Sequence, residues 1–289
     1  MARVRAVSTL RIDANGPFDL HAALGTLAAH AIDGLHRYDA DSAELTRWVE
    51  VSGEPHLVTV RLDTGGVTVA TATRDESTNV ALTARVNRWF DLDADLDRVN
   101  DHLGADPVFA AQVQSRPGIR IVRFDAPFEA TVLTVLGQQV SLAAGRLFGA
   151  RLVAAYGIGP PPGCSGLGLS RFPTPAALAA VPADELRATV GLTGSRARTV
   201  QEVAELFANS GDTDSLPSRA DLHAVHGIGP WTLDYLALRA SPDTDAFPAA
   251  DAVLRRTLAA LDPRVDAARV ASWSPYRSYA ASRIWARIQ

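Results

Sequence analysis

The segment LHAVHGIGPWTLDYLALR at 222–239 constrains this chain more than any other. A short apolar-periodic stretch ends at Val225, Gly227 and Gly229 bracket Ile228, and Pro230 stands where a new helix accepts proline at its first position. The pattern predicts a helix, a tight hairpin and a second helix. Glycine on both sides of Ile228 suits backbone angles that a Cβ opposes, and lets the hairpin amides approach a partner closely. The unpaired amides that open the second helix, at the positive end of its dipole, make a ready phosphate site. Such a contact would fix register along a nucleic-acid backbone without reading sequence. A GIG turn can also do no more than pack two helices, so the surrounding chain has to decide.

Upstream, the run LVTVRLDTGGVTVATAT at 57–73 alternates β-branched and polar residues around Gly65 and Gly66, which predicts a β-hairpin. Helical periodicity covers 19–35 and 79–90. Residues 1–112 are therefore expected to form an α+β domain, an antiparallel sheet with helices. Past the turn-rich RPGIR at 116–120 the pattern becomes helices punctuated by glycine and proline. Helices are expected over 128–138, 142–156, 174–180, 183–190, 195–209, 219–225, 231–240, 251–261 and 276–287. Residues 113–289 thus read as an all-α, two-lobed region with a cleft between the lobes. The Gly/Pro-rich stretch 157–171 is expected to be a mobile loop.

Composition excludes more than it selects. All 28 Lys+Arg residues are arginine, so no side-chain amine can form a Schiff base. Cys164 is the single cysteine, which rules out an internal disulfide, a thiolate-rich zinc site and a four-cysteine iron–sulfur cluster. The formal charge of −4 hides an uneven distribution, because residues 251–289 hold seven arginines against Asp251, Asp262 and Asp266. Affinity for a polyanion depends on such local fields rather than on net charge. No segment approaches the ~20 apolar residues of a membrane span, and residues 1–11 hold no apolar run suited to a signal peptide. A cytoplasmic protein without membrane partners is expected.

Beyond the hairpin, DAFPAAD at 245–251 supplies a Gly/Pro-type loop ending in aspartate, VLGQQVS occupies 135–141, and WSPYRSY at 273–279 precedes Trp285. Together with RPGIR, in this order, these motifs resemble the helix-hairpin-helix DNA glycosylases, and among them the bacterial alkylpurine branch, the 3-methyladenine DNA glycosylase II (AlkA) type. The resemblance runs from about residue 13 to the C-terminus and is weakest in the N-terminal third. It implies a bacterial, nucleoid-associated base excision repair enzyme that takes double-stranded DNA containing alkylated bases and acts as a monomer. It implies no required cofactor. A structural Na+ or K+ held by the backbone carbonyls of His223, Val225 and Ile228 when DNA is bound is the one exception.

The resemblance assigns Asp251 as the catalytic carboxylate. Base removal leaves positive charge on the sugar, and a nearby anion stabilises that charge or orients water. The bland reading of Asp251 is a helix N-cap, and the two roles are compatible. Asp243 and Asp245, in the same loop, are expected to be solvated. Trp231, Tyr235, Trp273 and Tyr276 match or lie near aromatic positions of the base pocket, where π faces attract an electron-deficient alkylated purine. Ordinary core packing would also explain them. Where relatives carry further pocket aromatics this chain has Thr26 and Ala252, which suggests a roomier pocket. Gln139 falls at the wedge that fills the gap left by a flipped nucleotide, with Gln138 as the alternative. Gly227, Ile228, Gly229, Arg256 and Arg277 are the expected contacts to the DNA backbone, with Arg196, Arg198 and Arg255 as further candidates. For any single arginine a solvated helix face or a structural ion pair is the competing reading.

Within the resembling superfamily, members that also cut the strand use a lysine nucleophile, and members that read mispaired adenine carry an iron–sulfur cluster. This chain can do neither, which leaves monofunctional hydrolysis. A noncatalytic damage-binding module and an abasic-site lyase remain the alternatives. The sequence does not rank 3-methyladenine, 7-methylguanine, hypoxanthine and ethenoadenine as substrates.

Overall fold

The computed structural model describes residues 8–162 and 167–288. Cys164 and part of the expected loop at 157–171 lie outside the described residues. The flanks of that loop are held together by a bridge between Ile158 and Arg171.

The expected hairpin is the centre of a five-stranded, wholly antiparallel sheet. Its strands are β1 (Ser8–Asp13), β2 (His36–Asp39), β3 (Glu44–Val51), β4 (Glu54–Asp63) and β5 (Gly66–Thr71), in the order β1-β5-β4-β3-β2. Asp63 pairs with Gly66, so Thr64 and Gly65 form a two-residue loop, and the Asp63 carboxylate accepts the Gly65 amide at 2.8 Å. Gly66 has φ +145°, and a Cβ there would stand 2.3 Å from the Ile12 carbonyl. Val58, Val60, Leu62, Val67 and Val69 share a core with two helices, α1 (Leu20–His30) and α2 (Glu76–Phe90). Helix α1 is shorter than its periodicity suggests: it stops at His30, where Ala31 takes extended backbone, and the chain then turns at Gly34 (φ +81°).

Twelve helices follow. Two short ones, α3 (Leu96–Gly104) and α4 (Ala110–Ser115), were not anticipated. Next come α5 (Pro127–Gly137), α6 (Leu142–Tyr156), α7 (Pro175–Ala179), α8 (Ala183–Val190), α9 (Gly194–Ser210) and α10 (Arg219–Ala224). The last four are α11 (Pro230–Ala240), α12 (Ala252–Leu261), α13 (Ala267–Ser272) and α14 (Arg277–Trp285).

These helices pack around two cores, as the two-lobed expectation requires. One is built from α5 to α11, with Val132, Leu136, Val200, Phe207 and Leu236 at its centre. The other joins Leu96, Val99 and Phe109 to Leu254, Trp273, Tyr279 and Ile284. A cut after residue 112 therefore runs through this second core, since α3 and α4 pack against the C-terminal helices. Helix α11 serves both lobes, with Leu236 in one core and Leu238 in the other. The sheet is tied to α5 by buried charge: Arg47 on β3 grips Glu129 at 2.5 Å, and Asp125 accepts from Arg85 of α2 at 2.6 Å.

Candidate active site

A cavity of about 600 Å³ opens between the lobes, against α1. Its walls come from α1, α5, α6, α11, α12 and α14, and it takes in Asp251, Trp231, Tyr235, Trp285, His30 and Arg239. Segments more than 200 residues apart in sequence meet here. The cavity exists only because α11 sits at the seam of the two cores.

Asp251 caps α12 and faces this cavity. One carboxylate oxygen accepts the amides of Val253 and Leu254 at 3.0 and 2.9 Å, as an N-cap aspartate does. The other accepts the indole N–H of Trp231 at 3.1 Å, and the Trp285 indole N–H lies 3.4 Å from the first. Four donors and the positive end of the helix dipole fix the orientation of the carboxylate. Among the described residues no arginine pairs with it. The cap and the candidate reactive carboxylate are thus one group.

Trp231 stacks on Tyr235 with ring centroids 5.3 Å apart and planes 24° from parallel. Trp285 meets Tyr235 edge-on at 5.9 Å. The three rings form one aromatic wall beside Asp251. Trp285 belonged to the sequence motif but not to the expected pocket, and Trp273 and Tyr276 must be withdrawn from it. Trp273 is 1% exposed, packs edge-on against Phe109 and Phe247, and donates its indole N–H to Asp106 at 2.8 Å. Tyr276 lies at the edge of the same core, against His102 and Tyr279. Both aromatics anchor the second lobe behind the cleft.

Polar groups at the back of the cavity form a chain with a defined direction. His30 is half-buried in the cavity wall; desolvation, joined by the positive charge of Arg239, pushes its imidazole down to about 3, so it is neutral. Its Nδ1 lies 2.9 Å from the Thr26 carbonyl, which can only accept, so Nδ1 carries the proton. Nε2 is then an acceptor, and the Tyr235 hydroxyl 3.1 Å away donates to it. Burial also raises the Tyr235 phenol, which stays protonated. Thr26 lines the cavity, while Ala252 is exposed on the outer face of α12. Of the two positions where aromatics are absent, only Thr26 enlarges the cavity.

The hairpin stands at the rim. The Ile228 side chain is buried in the first core, so the backbone on either side is what the turn presents outward. Gly227 needs its freedom twice over: φ is +82°, and a Cβ would come 2.7 Å from Thr199 Oγ1. Gly229 differs from the expectation. Its φ is −103° and the space a Cβ would fill is open, so its value lies in leaving the surface clear rather than in backbone angle. Helix α11 has no side-chain cap and starts with Pro230, which leaves the Trp231 and Thr232 amides without helical acceptors. That is the arrangement of an anion site.

Gln139 is exposed at the α5–α6 turn with φ +53°, a left-handed backbone unusual for a residue with a side chain. The strain projects it away from the fold, as a wedge requires. Gln138 does other work. Its side-chain amide donates to the Gly227 carbonyl at 3.1 Å and to Thr232 Oγ1 at 2.9 Å, which fixes the α5–α6 turn to the hairpin. Arg196 donates to the Gln138 carbonyl and braces the same joint. Arg198, Arg255 and Arg256 are exposed and free to meet phosphate. Arg277 is a correction: its guanidinium is bidentate on Asp245 at 2.7 and 2.8 Å, so its charge is neutralised within the fold. Asp245, expected to be solvated, is held by Arg277 and Ser274.

Comparison with known proteins bears on the same residues. The AlkA N-terminal domain model matches 9–124, and the HhH-GPD superfamily base excision DNA repair protein model matches 132–266. DNA-3-methyladenine glycosylase 2 of Escherichia coli is 30% identical over 93% of this chain and 94% of its own length. This chain belongs to the AlkA-type HhH-GPD superfamily. A relative in Mycobacterium tuberculosis, named "Probable bifunctional transcriptional activator/DNA repair enzyme AlkA", is 32% identical over 97% of this chain. The chain spans 57% of that relative's length. Among solved structures, a 3-methyladenine DNA-glycosylase from Archaeoglobus fulgidus superposes with a TM-score of 0.78 at 16% identity, covering 96% of this chain and 97% of that one. An 8-oxoguanine glycosylase/lyase from Clostridium acetobutylicum gives 0.68 at 18%, covering 99% of each chain. These two share the overall fold of this chain. Among the described residues no helix is long and apolar enough to cross a membrane, and no group of three His, Cys, Asp or Glu side chains is placed to hold a metal ion.

Proposed function

We propose that this chain is a monofunctional DNA glycosylase that hydrolyses the N-glycosidic bond of alkylated purines such as 3-methyladenine and 7-methylguanine in duplex DNA. It acts as a monomer on the cytoplasmic nucleoid, in base excision repair. One observation carries this reading: Asp251 is an oriented carboxylate with no ion-pair partner, beside a wall of Trp231, Tyr235 and Trp285. The hairpin amides and the exposed arginines hold the backbone. Gln139 fills the stack that the flipped nucleotide leaves, which offsets part of the unstacking cost. The base enters the cavity against the aromatic wall. As the C1′–N bond breaks, its electron pair departs with the base, and Asp251 stabilises the sugar cation. Water then bonds to C1′ and gives up a proton toward the Asp251 carboxylate. With no lysine in the chain, strand cleavage through a side-chain Schiff base is chemically closed.

Asp251→Asn tests the assignment, because asparagine also caps helices and the substitution changes the charge while sparing the fold. Release of 3-methyladenine or 7-methylguanine from methylated duplex should fall by about 10²- to 10³-fold, the scale for loss of a preorganised electrostatic group. Equal release by both proteins would refute it.

A monovalent cation fits the same reading. The carbonyls of His223, Val225 and Ile228 are backbone oxygens of the kind that coordinate Na+ or K+. The Val225 carbonyl already accepts the Ile228 amide at 3.2 Å but keeps a second lone pair. Bound there, the ion supplies positive charge between hairpin and phosphate. DNA affinity should drop when K+ is replaced by choline at equal ionic strength, and unchanged affinity would remove the ion from the proposal.

A further inference from the structure

One cation of the cleft is left over by the reaction described above. Arg146, on α6, is half-buried and lines the same cavity as Asp251. Among the described residues it makes no hydrogen bond and no ion pair. The other two arginines of the cavity wall are engaged: Arg120 donates to the carbonyls of Asn15, Asp91 and Leu92, and Arg239 donates to the Tyr235 hydroxyl. Half-buried arginines elsewhere are held as well, Arg116 by Asp19, Arg123 by Asp91 and Arg269 by Asp106. Arg146 sits on a rigid support. Gly145 lets α6 lie against α5, where a Cβ would stand 3.1 Å from Gly137 Cα, so this stretch of helix is fixed to the turn that carries Gln139. Four residues before Arg146, and so on the same face of α6 about 6 Å along its axis, stands Leu142. Its side chain lines the cavity and is 56% exposed. An apolar side chain in the open and an unpaired guanidinium follow one another along the cavity wall.

A DNA strand offers the matching sequence of groups, apolar deoxyribose faces alternating with phosphates. The two charges of the cleft give that strand a direction. Arg146 and Asp251 belong to different lobes, since α6 enters the first core through Leu152 and α12 enters the second through Leu254. A phosphodiester carries a full negative charge, which Asp251 repels and Arg146 attracts, and a guanidinium can meet two of its oxygens at once. A nucleotide drawn into the cleft therefore turns its phosphate toward α6 and its sugar toward Asp251. We propose that Arg146 is a positioning residue that pairs with a phosphate flanking the flipped nucleotide, with Leu142 against the adjoining sugar, and so aims C1′ at Asp251. This inference rests on the glycosylase reading above and adds to it an anchor for the extruded nucleotide itself. The contact forms only after the nucleotide has left the stack. It offsets part of the cost of extrusion and contributes nothing to the grip on a fully stacked duplex, whose backbone stays outside the cleft.

The test is equilibrium binding, by fluorescence anisotropy, of a duplex with one tetrahydrofuran abasic analogue and of the same duplex undamaged. Arg146→Gln should weaken binding to the abasic duplex about tenfold or more, the scale of one charged hydrogen bond, and leave the undamaged duplex within about twofold. The log–log salt dependence for the abasic duplex should become shallower by about 0.9, the loss of one phosphate contact. A neutral methylphosphonate is then placed at each phosphate flanking the analogue in turn. At one of the two positions the unmodified protein should lose the same factor, and there Arg146→Gln should cost no more than about twofold further. Equal weakening on both duplexes, or a cost of Arg146→Gln that persists at both methylphosphonate positions, would overturn the inference, because a merely structural arginine or a diffuse field behaves that way. Should Arg146→Gln melt early, Arg146→Ala is read on the same duplexes. A preference for the abasic duplex that survives Arg146→Gln intact overturns this inference alone, whereas an unmodified protein with no such preference overturns the glycosylase reading and this inference with it.

Discussion

Two regions of this molecule handle charge in opposite ways. Where the sheet meets α5, Arg47 and Arg85 are matched by Glu129 and Asp125, and every charge has a counter-charge in contact. In the cleft, Asp251 and Arg239 lie in one cavity and neither has an ion-pair partner among the described residues. Burying charge is costly unless it is paired, so the first arrangement is what a fold does when only stability matters. The second persists because something else is to meet those groups. The contrast marks the site independently of any motif.

The largest effect should come from breaking the paired region. Arg47→Met leaves Glu129 uncompensated in the interior and should lower unfolding free energy by about 3–5 kcal/mol, read by chemical denaturation. A loss below 1 kcal/mol would mean that the cluster is not the rivet its geometry suggests. In the cleft the same kind of charge removal should cost far less stability: Asp251→Asn keeps the cap, so its unfolding free energy should stay within about 1 kcal/mol of the unmodified protein. A larger drop would make Asp251 a structural residue first.

A smaller effect separates the regions by pH. His30 lies in the cleft with its imidazole depressed to about 3, from an ordinary 6.5, by burial and by Arg239. Above pH 6.5 neither state is protonated there and the group's contribution is fully present. As pH falls from 6.5 toward 3, the unfolded chain takes up a proton that the folded chain refuses, so stability declines by up to about 1.4 kcal/mol per pH unit. His36, close to Arg47, is depressed in the same direction by burial and then by that arginine. Chemical denaturation at pH 7 and pH 5 should therefore give a lower stability at pH 5, and His30→Gln should reduce the difference. An unchanged slope in that variant would place the acid sensitivity in the paired region instead.

Local signals made part of this architecture legible in the sequence. Helices α6 and α8 have the expected bounds because their ends are locally specified: Ser141 caps one start, and Gly191 takes the left-handed turn after the other. The β4–β5 hairpin follows from its glycines. Helices α3 and α4 are short and polar, and their apolar faces acquire meaning only against Trp273, Tyr279 and Ile284, far along the chain. The site divides along the same line. Trp231, Tyr235 and Asp251 flank the hairpin and its loop, and the motif resemblance assigns all three. Trp273 and Trp285 belong to one motif, yet one is core and the other cavity, and only tertiary packing separates them. An arginine with a carboxylate partner reads the same in sequence as one without. That is why Arg277 was expected on DNA and Arg239 was not noticed.

Helix α14 carries Trp285, the ring that completes the aromatic wall, and it is the last helix described. Synthesis delivers a chain from its N-terminus, so the sheet, the first helical core and the hairpin can assemble while this helix is still within the ribosome. A nascent chain would then present a phosphate-binding turn with no finished cavity behind it. The aromatic wall gains its third ring only once residue 285 has emerged and α14 has packed, so a chain halted before it would keep the turn and lack Trp285 beside Tyr235.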